Sequence, residues 1–353
     1  MHQQQVSPRT FGTAGTAAPF TLLVLALLAT MIVALGIGAV SIPVTTVADV
    51  LLQRLGFGVD VSLLDDQIVW QLRMPRVLGA AATGAGLAIC GAVLQSLTRN
   101  DLADPYLLGI SGGAAVGAVS VIVLGVSFAG LISATMITLG AFTGALLSMV
   151  LVLALATGRS GVLPPARTVL AGVAIGQICA AYTSFVVIMS GDHDAARRVL
   201  SWTLGSLAGL RWGSTTFLCL VAVLAVVLIM GFASDLDAFA FGESSAGSLG
   251  VSITTTRWTL LVGTALVTAS LVAFTGAIGF VGLVVPHVVR LMWGPLHRRL
   301  LPLSAVLGAI LLVWADTIAR SVVSGQEIPI GVVTAVIGAP VFAWLLRREG
   351  REA

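Results

Sequence analysis

Apolar runs of spanning length, separated by short polar joints, set the pattern of this chain. They cover Pro19 to Val40 and then about 77 to 97, 107 to 125, 131 to 157, 168 to 190, 214 to 232, 258 to 293, 301 to 320 and 328 to 346. Each is near the length of about 20 residues that a helix needs to cross a hydrocarbon core. The run from Trp258 to Trp293 is too long for one crossing, since as a single helix it would reach about 54 Å against a core of about 30 Å. It must fold back, and Thr275-Gly276-Ala277-Ile278-Gly279 supplies the turn. That makes ten predicted spans. The first run exceeds the roughly 7 to 15 apolar residues of a signal peptide, so it reads as a retained span. Residues 1–18, polar and nearly uncharged, read as a disordered tail, and 349–353 as a second short tail.

Two of the longer joints carry amphipathic segments. Val47-Ala48-Asp49-Val50-Leu51-Leu52-Gln53-Arg54-Leu55 is long enough for two or three turns, and Val199-Leu200-Ser201-Trp202-Thr203-Leu204-Gly205 is too short to span and holds an interfacial Trp. Either they shape one face of the molecule or they lie as connectors on lipid.

Composition agrees with the pattern and narrows the chemistry. Hydrophobic residues are 58% and charged residues 9% of the 353, too apolar for a soluble globule. All 18 basic residues are arginine, so no Schiff-base lysine and no G-x-x-x-x-G-K-[ST] phosphate loop exists in this polypeptide. Energised work would need a nucleotide-hydrolysing partner or an ion gradient. The net charge of +3 comes from scattered arginines with no basic run, which argues against nucleic acid. Cys90, Cys179 and Cys219 are odd in number and lie in apolar runs, so they read as packing residues and indicate neither a disulfide nor a zinc site.

An even number of spans puts both termini on one side. With the termini inside, Arg9, Arg99, Arg159, Arg167, Arg257, Arg290, Arg298, Arg299, Arg347, Arg348 and Arg351 face inward and Arg54, Arg73, Arg76, Arg197, Arg198, Arg211 and Arg320 face outward. The bias favours termini inside. The outward arginines break the rule and call for a reason. Glycine, at 40 residues, recurs four apart at Gly109, Gly113 and Gly117, at Gly140 and Gly144, and at Gly172 and Gly176. That spacing lets helix backbones approach closely, with substrate contact as the other reading.

Ionisable groups are scarce within the spans. Asp316 has Arg320 four residues on, an i,i+4 pair on one helix face. No mid-membrane carboxylate or histidine of an ion-coupled carrier is apparent, which favours a partner as the energy source over a secondary carrier or channel. A non-transporting scaffold is the third class. Asp192-His193-Asp194 cannot converge on one metal ion without a tight turn, Pro286-His287 predicts a kink in the eighth span, and no Ser/His/Asp or Cys/His set stands out. No catalytic, metal or cofactor site is expected. The segment Gly242 to Gly250 predicts a short helix: Glu243 suits its first turn, Ala246 and Leu249 are three apart on a small apolar face, and Gly250 suits its C-terminal cap. Such a helix can dock in a partner's groove.

Two blocks carry a resemblance. The first is Arg73-Met74-Pro75-Arg76-Val77-Leu78 with Gly91-Ala92-Val93-Leu94-Gln95, Leu97-Thr98-Arg99-Asn100-Asp101-Leu102-Ala103-Asp104-Pro105 and Leu107-Leu108-Gly109-Ile110-Ser111-Gly112-Gly113. The second runs from Thr275 to His287, His297 to Pro302 and Glu327 to Pro340. Together they resemble the FecCD family, the permeases of ABC importers for iron-siderophores, haem and vitamin B12, over about residues 20 to 348. The resemblance implies an all-α integral membrane protein: one permease domain, 19–348, of about ten transmembrane helices with both termini cytoplasmic, in the bacterial cytoplasmic membrane. It implies two ABC ATPase subunits, an extracytoplasmic substrate-binding protein and a second permease subunit, this chain again or a paralogue. Arg73, Arg76 and Arg320 would pair with carboxylates of the binding protein. Gly242, Glu243, Ala246, Leu249 and Gly250 would form the coupling helix seated on an ATPase. The pathway would run along the fifth and tenth spans, with the inner gate near 157–166. A ferric siderophore is the first expectation for the cargo, with haem or cobalamin as alternatives. Asp101 departs from the family pattern Asn-Pro-Leu-Ala-Asp-Pro and leaves the conformation of its loop open.

Overall fold

The computed structural model describes residues 14–38, 40–125, 134–157, 163–323 and 325–349. Regular structure among the described residues is helical throughout. Six helices stand alone as long apolar elements: α1 (Ala14–Gly36), α6 (Ala134–Thr157), α7 (Pro165–Ser190), α9 (Trp212–Met230), α12 (Ile253–Thr275) and α14 (His297–Ala319). A seventh, continuous from Leu63 to Thr98, contains α3 (Leu63–Asp66), a π-helical turn (Gln67–Arg73) and α4 (Met74–Thr98). These seven are long and apolar enough to cross a membrane. Three shorter apolar helices, α5 (Ile110–Leu124), α13 (Val281–Trp293) and α15 (Ile330–Glu349), complete the ten anticipated elements. Joints hold α2 (Val44–Arg54), α8 (His193–Thr203), α10 (Ala233–Phe239) and α11 (Glu243–Ser248). Helix α1 starts at Ala14, so the last residues assigned to the tail are helical.

Helix α4 is the centre of the bundle: 18 of its 25 residues are buried, against 6 of 26 in α7. It packs on α9, α12, α13 and α14, while α5, α6 and α7 form a second group joined to it through α12. Small residues make this possible, because lipid offers no hydrophobic drive for helix association. A Cβ at Gly84 would run into the Gly308 backbone, and one at Gly117 would run into the Gly140 carbonyl. The glycines spaced four apart on α5 and α6 therefore act as packing residues. The cysteines also pack, with Cys90 Sγ 3.6 Å from the Thr264 carbonyl oxygen.

The helix around Arg73 begins fourteen residues before the predicted span. Its continuation through Pro75 has a local cause: proline cannot donate to the carbonyl four residues back, and its ring crowds that carbonyl. The turn ahead of it widens to π geometry, with the Met74 N–H bonded to the Val69 carbonyl five residues back. Trp212 holds this turn in place, donating its indole N–H to the Trp70 carbonyl at 3.0 Å with ring centroids 4.8 Å apart.

The break in the 258–293 run is where the sequence put it, but it lies inside the protein. Thr275, Gly276 and Ile278 are buried, and the Tyr106 hydroxyl accepts from Ile278 N at 2.7 Å and donates to Ile278 O at 2.9 Å. Gly282 packs on Pro105, so the irregular stretches ahead of α5 and α13 brace each other. Non-helical backbone at this depth is tolerated because protein groups satisfy it. Pro286 lies within α13 as expected, beside buried His287.

Candidate functional sites at the two ends

The C-terminal end of α1, the N-terminal end of α4 and the C-terminal end of α14 meet at one end of the bundle. Three arginines singled out in the sequence meet there. Arg73 donates to the Leu35 carbonyl at 2.6 Å and also to the Val40 carbonyl, tying α4 to the exit of α1. Arg76 is bidentate twice: its Nε is 2.9 and 3.0 Å from the two oxygens of Asp316, and its Nη1 and Nη2 are 2.9 and 3.0 Å from those of Glu327. Arg320 donates to the Ala34 carbonyl at 2.5 Å and has its Nε 3.5 Å from Asp316. The i,i+4 pair exists, but it is the looser contact of Asp316. The stronger partner, Arg76, lies 240 residues away in sequence.

Arg73, Arg320 and Asp316 are buried, and Arg76 is nearly so. Charges taken out of water cost several kcal/mol each unless paired and hydrogen-bonded, and here carbonyls and carboxylates do the pairing. All three arginines, with exposed Arg211, line a cavity of about 650 Å³ that Glu327 and Gln326 also border. A docking carboxylate would thus meet a competitor already in the chain.

The opposite end carries α10 and α11. Helix α11 begins with Glu243 in its first turn and ends ahead of Gly250 as the sequence foretold; Gly242 at φ +94° starts it and Gly250 at φ +88° follows it, conformations suited to glycine. The expected apolar face needs correcting. Ala246 is fully buried against the bundle, since the helix is short and Val251 N bonds back to the Ala246 carbonyl. The exposed apolar side chains are Leu249, 70% exposed, and Phe241, 75% exposed. Glu243 pairs with Arg257 Nη2 at 2.8 Å.

Three further links at this end were not anticipated. The Ser96 hydroxyl stands 2.5 Å from His297 Nε2, and His297 Nδ1 is 2.6 Å from Asp237 Oδ1, which also accepts from His297 N at 2.9 Å. This is the order of a hydrolytic triad, one that the separation of its three residues along the chain had hidden. Its hydroxyl, however, sits within α4, whose own ladder consumes the neighbouring N–H groups that would stabilise an oxyanion. The relay ties α4, α10 and α14. Asp101, the departure from the family pattern, pairs with Arg290 Nη1 at 2.5 Å and lies 3.8 Å from His287 Nδ1. Arg290 Nη2 in turn donates to Gln95 Oε1 at 3.2 Å. Asp104 accepts from Tyr106 N at 2.9 Å, and burial pushes its carboxyl up to about 6.

Of the remaining expectations, Asp192 caps α8, accepting from Asp194 N at 2.9 Å. The 157–166 connection lies largely outside the described residues, which resume at Leu163. No group of three or more potential metal ligands occurs among the described residues.

Helix order, the break between α12 and α13 and the paired ends make up one architecture, and residues 24–348 match the model of the FecCD transport family. The chain belongs to the FecCD transport family. A cobalamin import system permease protein BtuC of Halobacterium salinarum is 45% identical over 291 residues, covering 80% of this chain and 74% of that one. A vitamin B12 import system permease protein BtuC of Vibrio cholerae is 44% identical over 288 residues, covering 82% and 85%. Among solved structures, an inward-facing chain assigned to the metal-chelate type of ABC transporter superposes with a TM-score of 0.81 at 28% identity, covering 93% of this chain and 98% of that one. The FecCD chain described here is thus an ABC importer permease, a transport component and a multi-pass protein of the bacterial inner membrane.

Proposed function

We propose that this FecCD permease carries cobalamin into the cytoplasm. The observation that carries the cargo is the likeness to relatives more than 40% identical over most of the chain, which are named as cobalamin or vitamin B12 permeases. A ferric siderophore, the first expectation from the sequence, is the second reading, favoured by the likeness to a metal-chelate type transporter. Two such permease subunits form the pathway, and ATP hydrolysis belongs to two separate ATPase subunits.

The α11 end is the cytoplasmic one in this reading, with both termini beside it. Leu249 and Phe241 supply the apolar anchors that an ATPase groove takes up, and Glu243 holds α11 to the bundle. Buried Ala246 fixes the seat of the helix. The arginine end faces outward and receives the binding protein. There Glu327, with a side chain 46% exposed, is the partner that an incoming carboxylate displaces from Arg76. Arg73 and Arg320 supply positive charge from beneath, and Arg211 lies on the rim. Pairs of this kind steer docking and set register more than they add affinity.

The test is uptake by the complete importer in lipid vesicles, with cyanocobalamin, a ferric siderophore and haem supplied in turn. ATP-dependent accumulation of cyanocobalamin alone is expected; accumulation of the siderophore alone overturns the cargo. For docking, Arg211→Glu and added salt should each slow association of the binding protein, and an unchanged rate under both would remove the arginine end from that role.

A further inference from the structure

Arg257 joins α12 to α11, to α10 and to the lead-in of α7. It projects from α12 and is 5% exposed. Its Nη2 donates to Glu243 Oε1 of α11 at 2.8 Å, while its Nη1 donates to the Leu163 carbonyl at 3.2 Å. The guanidinium also lies 5.7 Å from the ring centroid of Phe239, the last residue of α10. Leu163 is buried and leads through Pro164 into α7, which opens with Pro165.

That lead-in is stiff. Two successive prolines fix φ near −65° and remove two backbone donors, so a displacement of the Leu163 carbonyl passes into the first turn of α7 instead of being absorbed by the backbone. The guanidinium is stiff as well, a planar fork whose separate nitrogens can hold two acceptors at once, which a lysine ammonium on its flexible stem does not reproduce. It also has room to shift: Nε is a buried donor without an acceptor, and Arg257, Leu163 and Pro165 border a cavity of about 20 Å³.

We propose that Arg257 is a positioning residue that carries the movement of α11 into α7, linking the ATPase-facing helix to the helix that starts at Pro165. This rests on the reading of α11 as the ATPase-docking helix. When an ATPase shifts α11, Glu243 draws the guanidinium with it, and the Leu163 carbonyl follows. Glu243 would then do more than anchor α11, because its partner already holds the start of α7.

The experiment uses the whole importer in vesicles, with spin labels at Ala166→Cys on α7 and Met292→Cys on α13. It reads ATP hydrolysis, the ATP-driven change in label distance, and cargo moved per ATP. Arg257→Ala should leave the ATPase bound and hydrolysing while the α7 movement disappears. Transport per ATP should fall about tenfold, within the range usual for coupling between sites. The decisive variant is Arg257→Lys, which restores the ion pair to Glu243 of α11 but lacks the second fork nitrogen that holds the Leu163 carbonyl. Bound, hydrolysing ATPase with a still α7 is expected, and recovery of the α7 movement in this variant would show Arg257 to be an anchor for α11 only. Leu249→Asp tests the underlying reading separately. It should release the ATPase, and an ATPase that stays bound overturns the docking role of α11 whatever the Arg257 variants do.

Discussion

The two charged ends are built from the same ingredients and differ in where their carboxylates sit. At the arginine end the shared acceptor, Asp316, has a side chain 2% exposed, and it is fixed between Arg76 and Arg320. At the α11 end the acceptors are open to solvent, 44% for Glu243, 44% for Asp101 and 28% for Asp237, while most of their basic partners are buried. A buried acceptor makes a permanent latch, because releasing it strands charge in a dry interior. A half-exposed acceptor can let go into water. The arginine end therefore fixes α1, α4 and α14 as a frame, and the α11 end keeps α10 and α11 attached by contacts that can be exchanged with water.

The largest expected effect tests the latch. Asp316→Ala leaves Arg76 and Arg320 without their common partner and should cost about 3–5 kcal/mol of stability, read as a collapse of the thermal transition in detergent. A loss no greater than that of Glu243→Ala would erase the contrast between the ends. Glu243→Ala should cost about 1.5–3 kcal/mol, the worth of a hydrogen bond to a charged group, while the bundle stays folded. Its larger signature should be in ATP-coupled transport. Asp101→Pro restores the family residue and removes a pair with an exposed partner, so its cost should lie below about 1 kcal/mol by melting.

The smallest effect concerns pH. The Asp104 carboxyl is raised to about 6 from the ordinary value of 3.8, so the folded chain binds a proton more readily than the unfolded chain. Its stability contribution is present at low pH and is lost as pH rises from the ordinary value to about 6. Asp104→Asn keeps an amide oxygen that accepts from Tyr106 N and should melt higher than the parent above pH 6, with the difference closing in acid. A difference that persists unchanged at pH 3 would mean that the carboxyl's ionisation is not its origin.

Much of this was legible before any coordinates. The ten spans follow from length and hydropathy, and the break near Gly276 follows from arithmetic on a run of thirty-six residues. The two ends of α11 follow from Glu243 and Gly250. The pairings were not legible, because their partners are far apart in sequence: Arg76 with Asp316, Ser96 with His297, and Arg257 with Leu163. Helical periodicity reports neighbours three or four residues away, so it offered Arg320 as the partner of Asp316 and left Arg76 free for a visitor. Ala246 was misplaced for a related reason. In a helix of six residues the burial of one side chain is decided by the surface it lands on, and a three-residue spacing does not report that surface.

The widened turn from Gln67 to Arg73 gives the arginine end an unusual kind of fragility. It holds more backbone per turn than an α-helix, so losing a single residue there would let the segment close into ordinary α register. With α register ahead of it, the Pro75 ring would press on the carbonyl four residues back, which the wider turn now avoids. The helix on either side would nearly keep its angle, because a π turn is an α turn with one residue added. The arginine end therefore depends on the length of this stretch as well as on its side chains.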